Sequence, residues 1–453
     1  MRILFFAPAF TRFRGGIEAM IAILTNHLCQ RGHEVGILTE GDAEQHPDPI
    51  FPIPSSVPIF QVWIHDTQEV RERLREIVRG FAPDVFVVRG ASFVYFYMID
   101  AVRGTNTRLI LSESYDPEAS AKHFPSSMAR LTAFAGADRI HFLVDSFKDS
   151  LPPHLRERVR PISNPVEPNP RLARPEGAQG QRKTIINVAR ITFFQKAQDA
   201  LVTAFAKLAS KYPEWDLVLV GDTFKTHDHD ALVKLVEERR LQNRVRILGS
   251  LPKPEVYALL SESHIFAFPS LFEGFGIALV EGMASGLPCI GYREAPAVNQ
   301  LIEHGVNGLL VPELGSPDTL ARGLDELMAS PELRRELGAR GLEFSRRFHH
   351  ELIAQKWEDL ILEAGNIERS IMSGSPSEES VLLGALHFRL AQERLLFDRS
   401  EPKRGAIANT MQESREFRVG KKILGYFDRL LPIETRRRRI LGGSYRWVRR
   451  LRS

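Results

Sequence analysis

The chain has 453 residues and only two cysteines, Cys29 and Cys289. Two thiols this far apart give neither a disulfide framework nor metal-ligand spacing. A disulfide-stapled scaffold and a zinc-ribbon type of domain are excluded. Both cysteines read as small buried residues, and a reducing compartment fits. No stretch approaches the roughly 20 consecutive apolar residues that cross a bilayer. The apolar run Ile3–Phe10 is short and is followed by Arg12, Arg14 and two glycines. It reads as a first strand, not a signal peptide. A G-x-G-x-x-G fingerprint is missing after that strand, where Gly15-Gly16 stands instead, and this counts against a dinucleotide dehydrogenase. Acidic residues are scarce only at the C-terminal end. Residues 401–453 carry 15 Lys and Arg against 5 Asp and Glu, a balance of +10, while the rest of the chain carries −6. The basic character belongs to the tail alone.

The composition is 43% hydrophobic, ordinary for a globular protein. The length suits two domains with their own cores and an extension. Arg2–Ala7 reads as a strand, Ile17–Arg31 as a helix with a stripe of Ile21, Leu24 and Leu28, and Glu34–Leu38 as a strand. Asp84–Val88 and Arg108–Leu111 are continuous apolar runs of the kind buried in parallel sheets. Proline then punctuates Pro161–Pro175, and alternation resumes. Strands are expected at Thr184–Val188, Leu217–Val220, Val245–Leu248, Ile265–Phe268, Leu287–Gly291 and Leu309–Leu310, and helices at 317–328 and 331–345. The fold class is α/β: two Rossmann-like doubly wound domains facing a central cleft, with ligands at the carboxyl ends of the strands. The expected boundaries are 1–165, a linker 166–182, 183–345, a late helix 346–365, and a helical and basic extension 366–453. Within the extension, residues 378–398 form an amphipathic helix candidate.

The most informative stretch is Phe268-Pro269-Ser270-Leu271-Phe272-Glu273-Gly274-Phe275-Gly276-Ile277-Ala278-Leu279-Val280-Glu281. Gly274 and Gly276 let the backbone turn tightly at the end of a buried strand. A helix then opens near Gly276, and its free N–H groups and dipole make an anion site. Glu273 precedes that site and Glu281 follows it by about one and a half turns, a span of roughly 8–9 Å. Two hydroxyl-binding carboxylates around a phosphate site suit a nucleotide sugar. Taken alone, acidic residues near a helix start are what the dipole favours anyway.

Other strand ends carry matching chemistry. Gly15-Gly16-Ile17-Glu18 joins the first strand to the first helix. Arg190 and Lys196 follow the first strand of the second unit; in isolation they read as two surface cations in a loop, but at a strand end they can offer a bidentate fork and a point charge to a diphosphate. Gly221-Asp222 and Leu248-Gly249-Ser250-Leu251 close the next two strands.

From residue 1 to about 365 these motifs, in this order, resemble the retaining glycosyltransferases of the GT-B fold. This is the large glutamate-pair family (the bacterial group 1 type) that includes sucrose synthases and bacterial mannosyltransferases. The resemblance implies that Glu273 contacts sugar hydroxyls, Glu281 the ribose, and Arg190 and Lys196 the diphosphate. It implies catalytic roles for Glu273, Arg190 and Lys196. Donor contacts are implied from Gly15, Gly16, Gly221, Leu251, Gly274, Phe275 and Gly276, with the base read through the backbone near Leu251. It implies a late helix that crosses back to the first domain. Three departures stand out. Ala189 and Ala197 replace glycines, Thr223 replaces a third, and no histidine stands in the first-domain run Leu109–Asp116. Glu113, Asp116 and His123 are the polar candidates left there.

The expectation is therefore a retaining glycosyltransferase. It moves a sugar from a nucleotide-diphosphate sugar to an acceptor hydroxyl, in bacterial cell-surface polysaccharide or glycolipid synthesis, with no cofactor and no metal. A nucleotide-sugar epimerase of the same fold and a catalytically silent nucleotide-sugar-binding subunit are the alternatives. Partners expected are the donor, a carbohydrate or lipid-linked acceptor, and an anionic membrane surface through 417–453; nucleic acid is not expected. In that tail Val419, Ile423, Phe427 and Leu431 form an apolar stripe beside Arg418, Lys421, Lys422 and Arg429. The expected location is cytoplasmic, with attachment to the inner face of the membrane.

Overall fold

The computed structural model describes residues 1–368 except 12–15, 42–48, 65–67, 91–93, 122–123, 125–126, 179 and 223–225. Gly15, His123, Thr223 and the extension beyond Glu368, including the amphipathic and basic segments, lie outside the described residues.

The first sheet is built from β1 (Arg2–Phe6), β2 (Glu34–Thr39), β3 (Ile59–Gln61), β4 (Val85–Arg89), β5 (Arg108–Glu113), β6 (Arg139–Phe142) and β7 (Val159–Pro161). The second is built from β8 (Lys183–Val188), β9 (Trp215–Val220), β10 (Val245–Ile247), β11 (Ile265–Phe268), β12 (Cys289–Tyr292) and β13 (Gly308–Val311). The orders are β3-β2-β1-β4-β5-β6-β7 and β10-β9-β8-β11-β12-β13. Every paired strand is parallel. Parallel sheets covered on both faces require apolar residues at successive positions, and Val85 to Val88 are each fully buried. Strand order reverses between β1 and β4 in the first sheet and between β8 and β11 in the second. Those are the places where open α/β sheets form ligand crevices.

The doubly wound architecture expected of both halves is present, with three strands added. β3, β6 and β7 have only three or four residues each and lie toward the sheet edges. They carry polar residues such as Arg139 and His141, so no apolar run announces them. The strand expected at Leu287–Gly291 runs from Cys289 to Tyr292, and Leu248 falls just past β10. Cys29, expected to be buried, is only partly covered, whereas Cys289 is buried.

The chain leaves the first domain through residues 162–182 and returns through 346–349. The Val166 N–H donates to the Phe348 carbonyl at 2.8 Å, so the two crossings are bonded together. The proline-rich segment is clamped to the second domain. Arg334 donates to the Pro175 carbonyl at 2.6 Å and to the Glu176 carbonyl at 2.9 Å, and Asn169 donates to Ser285 Oγ at 3.0 Å.

The returning helix, His350–Gly365, packs on the first domain. Ile353, Ala354, Trp357, Leu360, Ile361 and Ala364 lie on one face and join a core with Ile3, Phe5, Val85, Val87 and Ile110. Polar ties flank that stripe. Glu358 accepts from His27 at 2.9 Å, His33 at 3.2 Å and Arg31 at 3.3 Å, and Glu363 accepts from Arg139 and Arg160, each at 3.0 Å. Ile361 is fully buried, whereas Leu352 on the same helix is 53% exposed. Ile361→Ala is therefore expected to cost about 2–5 kcal/mol, and Leu352→Ala no more than about 0.5 kcal/mol. Equilibrium denaturation of the two variants checks this register.

Candidate active site

Two loops build the centre of the site at the second sheet's switch point. One follows β8 and carries Arg190 and, in the short helical turn Phe193–Lys196, Lys196. The other follows β11 and carries Glu273. Leu271 N–H donates to the Gln195 carbonyl at 2.8 Å, and Gln195 Nε2–H donates to the Phe272 carbonyl at 3.3 Å. These bonds bring Lys196 and Glu273 into an ion pair whose side chains are 12% and 8% exposed. The Lys196 ammonium also lies 5.7 Å from the centroid of Phe268. Arg190 is exposed, and its carbonyl accepts from Gln198 at 2.8 Å. Ala197 sits at φ 48°, the left-handed region. That explains why glycine suits this position and shows that alanine keeps the same turn, at some strain.

Gly276 caps the helix Ile277–Ala284. Its first N–H groups have no acceptor within the helix, as at every helix start. Phe275 turns inward and packs edge-on against Phe348, with centroids 5.3 Å apart.

Glu281 lies farther along that helix, in a second cluster. Its carboxylate is 3.7 Å from the Lys253 ammonium, which also pairs with Glu167 at 3.2 Å. Tyr257 donates to the Glu167 carbonyl at 3.3 Å. Burial pushes the Glu281 carboxyl above the usual carboxylate range, and Lys253 opposes that shift. Lys253, Tyr257 and Glu167 were not singled out by sequence reasoning. Lys253 stands two residues past Leu251, and that proximity is the one signal that could have found it. Leu251 itself is partly buried. Gly221 joins strand ends: its N–H donates to Gly249 at 2.8 Å, and a Cβ on it would stand 2.0 Å from the Ala189 carbonyl oxygen.

Among the described residues, the first domain meets this region at Ser114 and at Gly16. A Cβ on Gly274 would stand 2.2 Å from the Ser114 carbonyl oxygen, so the Glu273–Gly274 turn rests directly on the loop after β5. A Cβ on Gly16 would stand 3.0 Å from the Ile277 side chain. Two helix starts opened by glycine therefore face one another across the cleft.

Glu113 and Asp116, the polar candidates of the β5 run among the described residues, turn out to be structural. Glu113 is fully buried and paired with Arg130, whose Nε donates at 3.0 Å. The Asp116 carboxylate accepts from the backbone N–H groups of Glu118 at 3.0 Å and Ala119 at 3.1 Å, opening a short helix. A buried histidine does lie nearby, on β6. His141 Nε2–H donates to the Ile162 carbonyl at 2.7 Å, so Nδ1 accepts from Ser112 at 2.8 Å. Burial, reinforced by the Arg89 charge, lowers its pKa to about 3, and it stays neutral.

Comparisons with known proteins agree with this fold. The description "Glycosyl transferases group 1" matches residues 169–344 and "Glycosyltransferase Family 4" matches residues 14–169. An uncharacterized glycosyltransferase of Haemophilus influenzae is 25% identical over 353 residues, covering 77% of this chain and 96% of that protein. The N-acetyl-alpha-D-glucosaminyl L-malate synthase of Bacillus anthracis is 31% identical over 190 residues, covering 42% of this chain and 48% of that protein. The crystal structure of Anabaena HepE in complex with UDP superposes with a TM-score of 0.65 at 18% identity, over 80% of this chain and all of that one. At that identity the likeness is one of fold.

The Gly274 contact generates a prediction. A methyl group there must push apart two backbones, because neither partner is a flexible side chain. Gly274→Ala is expected to lower turnover by about 100-fold, as a misplacement near 1 Å does, in a protein that still folds. Turnover and circular dichroism of the variant check it.

Proposed function

The chain is a group 1 glycosyltransferase with a GT-B fold, and from that premise we propose that it moves a sugar from a nucleotide-diphosphate sugar to an acceptor hydroxyl with retention at the anomeric carbon. The observation that carries this reading is the meeting of Lys196 and Glu273 at the second sheet's switch point, beside the start of the Ile277–Ala284 helix. A cation and a helix start suit a diphosphate. A carboxylate next to them suits sugar hydroxyls, which it can accept bonds from. Glu281, about one turn into that helix, suits the ribose. Arg190, exposed on the same loop as Lys196, can reach the diphosphate as negative charge builds on it during departure of the sugar. Retention rests on the glutamate-pair resemblance. UDP is a reasonable first nucleotide to try, since the structurally similar HepE binds it.

The acceptor in this reading is a carbohydrate or a lipid-linked saccharide of polysaccharide or glycolipid synthesis. The +10 balance of residues 401–453 supports presentation at an anionic membrane surface. No described helix is long and apolar enough to cross a membrane. Flotation of full-length protein and of protein truncated after Ser373, with anionic liposomes at low and high salt, tests this attachment. Release on truncation is expected, and equal flotation of both forms would argue for another role.

A screen of UDP-, GDP- and ADP-sugars, reading released nucleotide and product anomer, tests the main reading. One donor is expected to give transferred sugar with retained configuration. Isomerised donor without transfer would show an epimerase instead. Glu273→Gln is expected to lose turnover while keeping nucleoside diphosphate affinity. Arg190→Ala and Lys196→Ala should each weaken nucleoside diphosphate binding by about 1.5–3 kcal/mol, the usual worth of a charged hydrogen bond, and should leave nucleoside binding nearly unchanged. Calorimetry with both ligands reads the difference. With those cations at the diphosphate, transfer is expected to survive excess chelator.

A further inference from the structure

Arg89 is the last residue of β4, at the first sheet's own switch point, and it is fully buried. Among the described residues no carboxylate pairs with it. One Nη donates to Ser114 Oγ at 2.9 Å, and the other points at the Met20 thioether at 2.9 Å. Among the described residues its Nε has no hydrogen-bond partner. The guanidinium lies 5.7 Å from the centroid of Trp357 on the returning helix. Desolvation lowers its pKa only to about 10, with Tyr95 and Glu18 opposing the fall, so it is charged near neutral pH.

A buried, incompletely satisfied cation is a poor way to stabilise a fold. A well-packed apolar residue of similar volume commonly does as well or better. What Arg89 does achieve is connection. It joins the first helix through Met20, the returning helix through Trp357, and the loop after β5 through Ser114. The Ser114 carbonyl is the surface on which the Gly274 turn rests, one residue from Glu273. The Tyr95 hydroxyl lies within hydrogen-bond reach of the Gly90 carbonyl after β4 and of the Ser112 carbonyl in β5, the latter at 2.8 Å, next to this loop.

We propose that Arg89 is a positioning residue for sugar transfer: through Ser114 it holds the first domain's wall of the cleft in register with the Glu273–Gly274 turn. The proposal rests on the transferase reading given above. It assigns Arg89 no contact with the donor. It separates alignment of the two domains from binding of the nucleotide, which the second domain's residues carry.

Arg89→Met keeps most of the side-chain volume and removes the donors and the charge. The expected result is a fall in kcat of about 10- to 100-fold, the scale of a small misplacement. Donor KM and nucleoside diphosphate Kd should stay within about twofold, and the melting temperature should be unchanged or raised. Ser114→Ala should lower kcat in the same way, and the double variant should fall no further than the worse single. Arg89→Lys, which can still reach Ser114 with one donor, should recover part of the loss. Wild-type transfer measured alongside establishes the reaction, so a null effect in the variants falls on this proposal alone. Wild-type kcat in Arg89→Met would overturn it. So would losses that multiply in the double variant, or a loss that simply tracks the folded fraction. If Arg89→Met does not fold, Ser114→Ala decides the matter, and wild-type kcat in that variant refutes the proposal.

Discussion

The arrangement depends on a chain that crosses between its two domains twice. One crossing would leave two sheets joined by a tether. The second crossing returns the helix His350–Gly365 to the first domain and buries Trp357, Leu360 and Ile361 in that domain's core. The backbone bond from Val166 to Phe348 then ties the outgoing and returning segments together. The apolar stripe supplies the driving force, because burial of large side chains is the dominant favourable term. The Glu358 and Glu363 clusters fix where along the sheet the helix lands. This double connection lets a turn of the second domain rest on a loop of the first at the level of backbone atoms, as Gly274 and Ser114 do.

Charge is arranged in the cleft on the same principle of paired elements. Lys196 meets Glu273 on loops that follow β8 and β11, and Lys253 meets Glu281 about one turn into the short helix. Partly buried ion pairs contribute little net stability, since desolvation offsets attraction. Under the proposed transferase reading, the Lys196–Glu273 pair at the second sheet's switch point and the Lys253–Glu281 pair beyond it have a better explanation in ligand chemistry. In that reading each pair would offer one group to anionic oxygens and one to hydroxyls, and the helix start at Ile277 would offer N–H groups. That order matches the order of parts in a nucleotide-diphosphate sugar.

The first domain contributes shape and alignment more than titrating groups. Glu113 and Asp116 are committed to Arg130 and to a helix cap. His141 is locked between Ser112 and Ile162 and held neutral. Arg89 carries charge but is sealed from solvent. A wall of this kind acts through where it holds the backbone.

Much of this was legible in residue order. Continuous apolar runs gave away the long central strands, because a strand covered on both faces has no polar side to show. The glycines around Glu273 and the cations after β8 marked strand ends, where backbone must turn and ligands approach. The short strands β3, β6 and β7 escaped, because three or four residues with an Arg or His among them carry no period. The partnership of Lys253 with Glu281 also escaped, since residues 28 positions apart in the chain meet only through the fold. Burial is the deepest difference. Arg89 and Glu113 are written with the same letters as surface residues, and sequence alone permits either reading. Only the packing of β4, β5 and the returning helix around them decides that one is a buried cation with no carboxylate pair among the described residues and the other half of a buried pair. That is because the cost of burying a charge depends on what surrounds it in three dimensions.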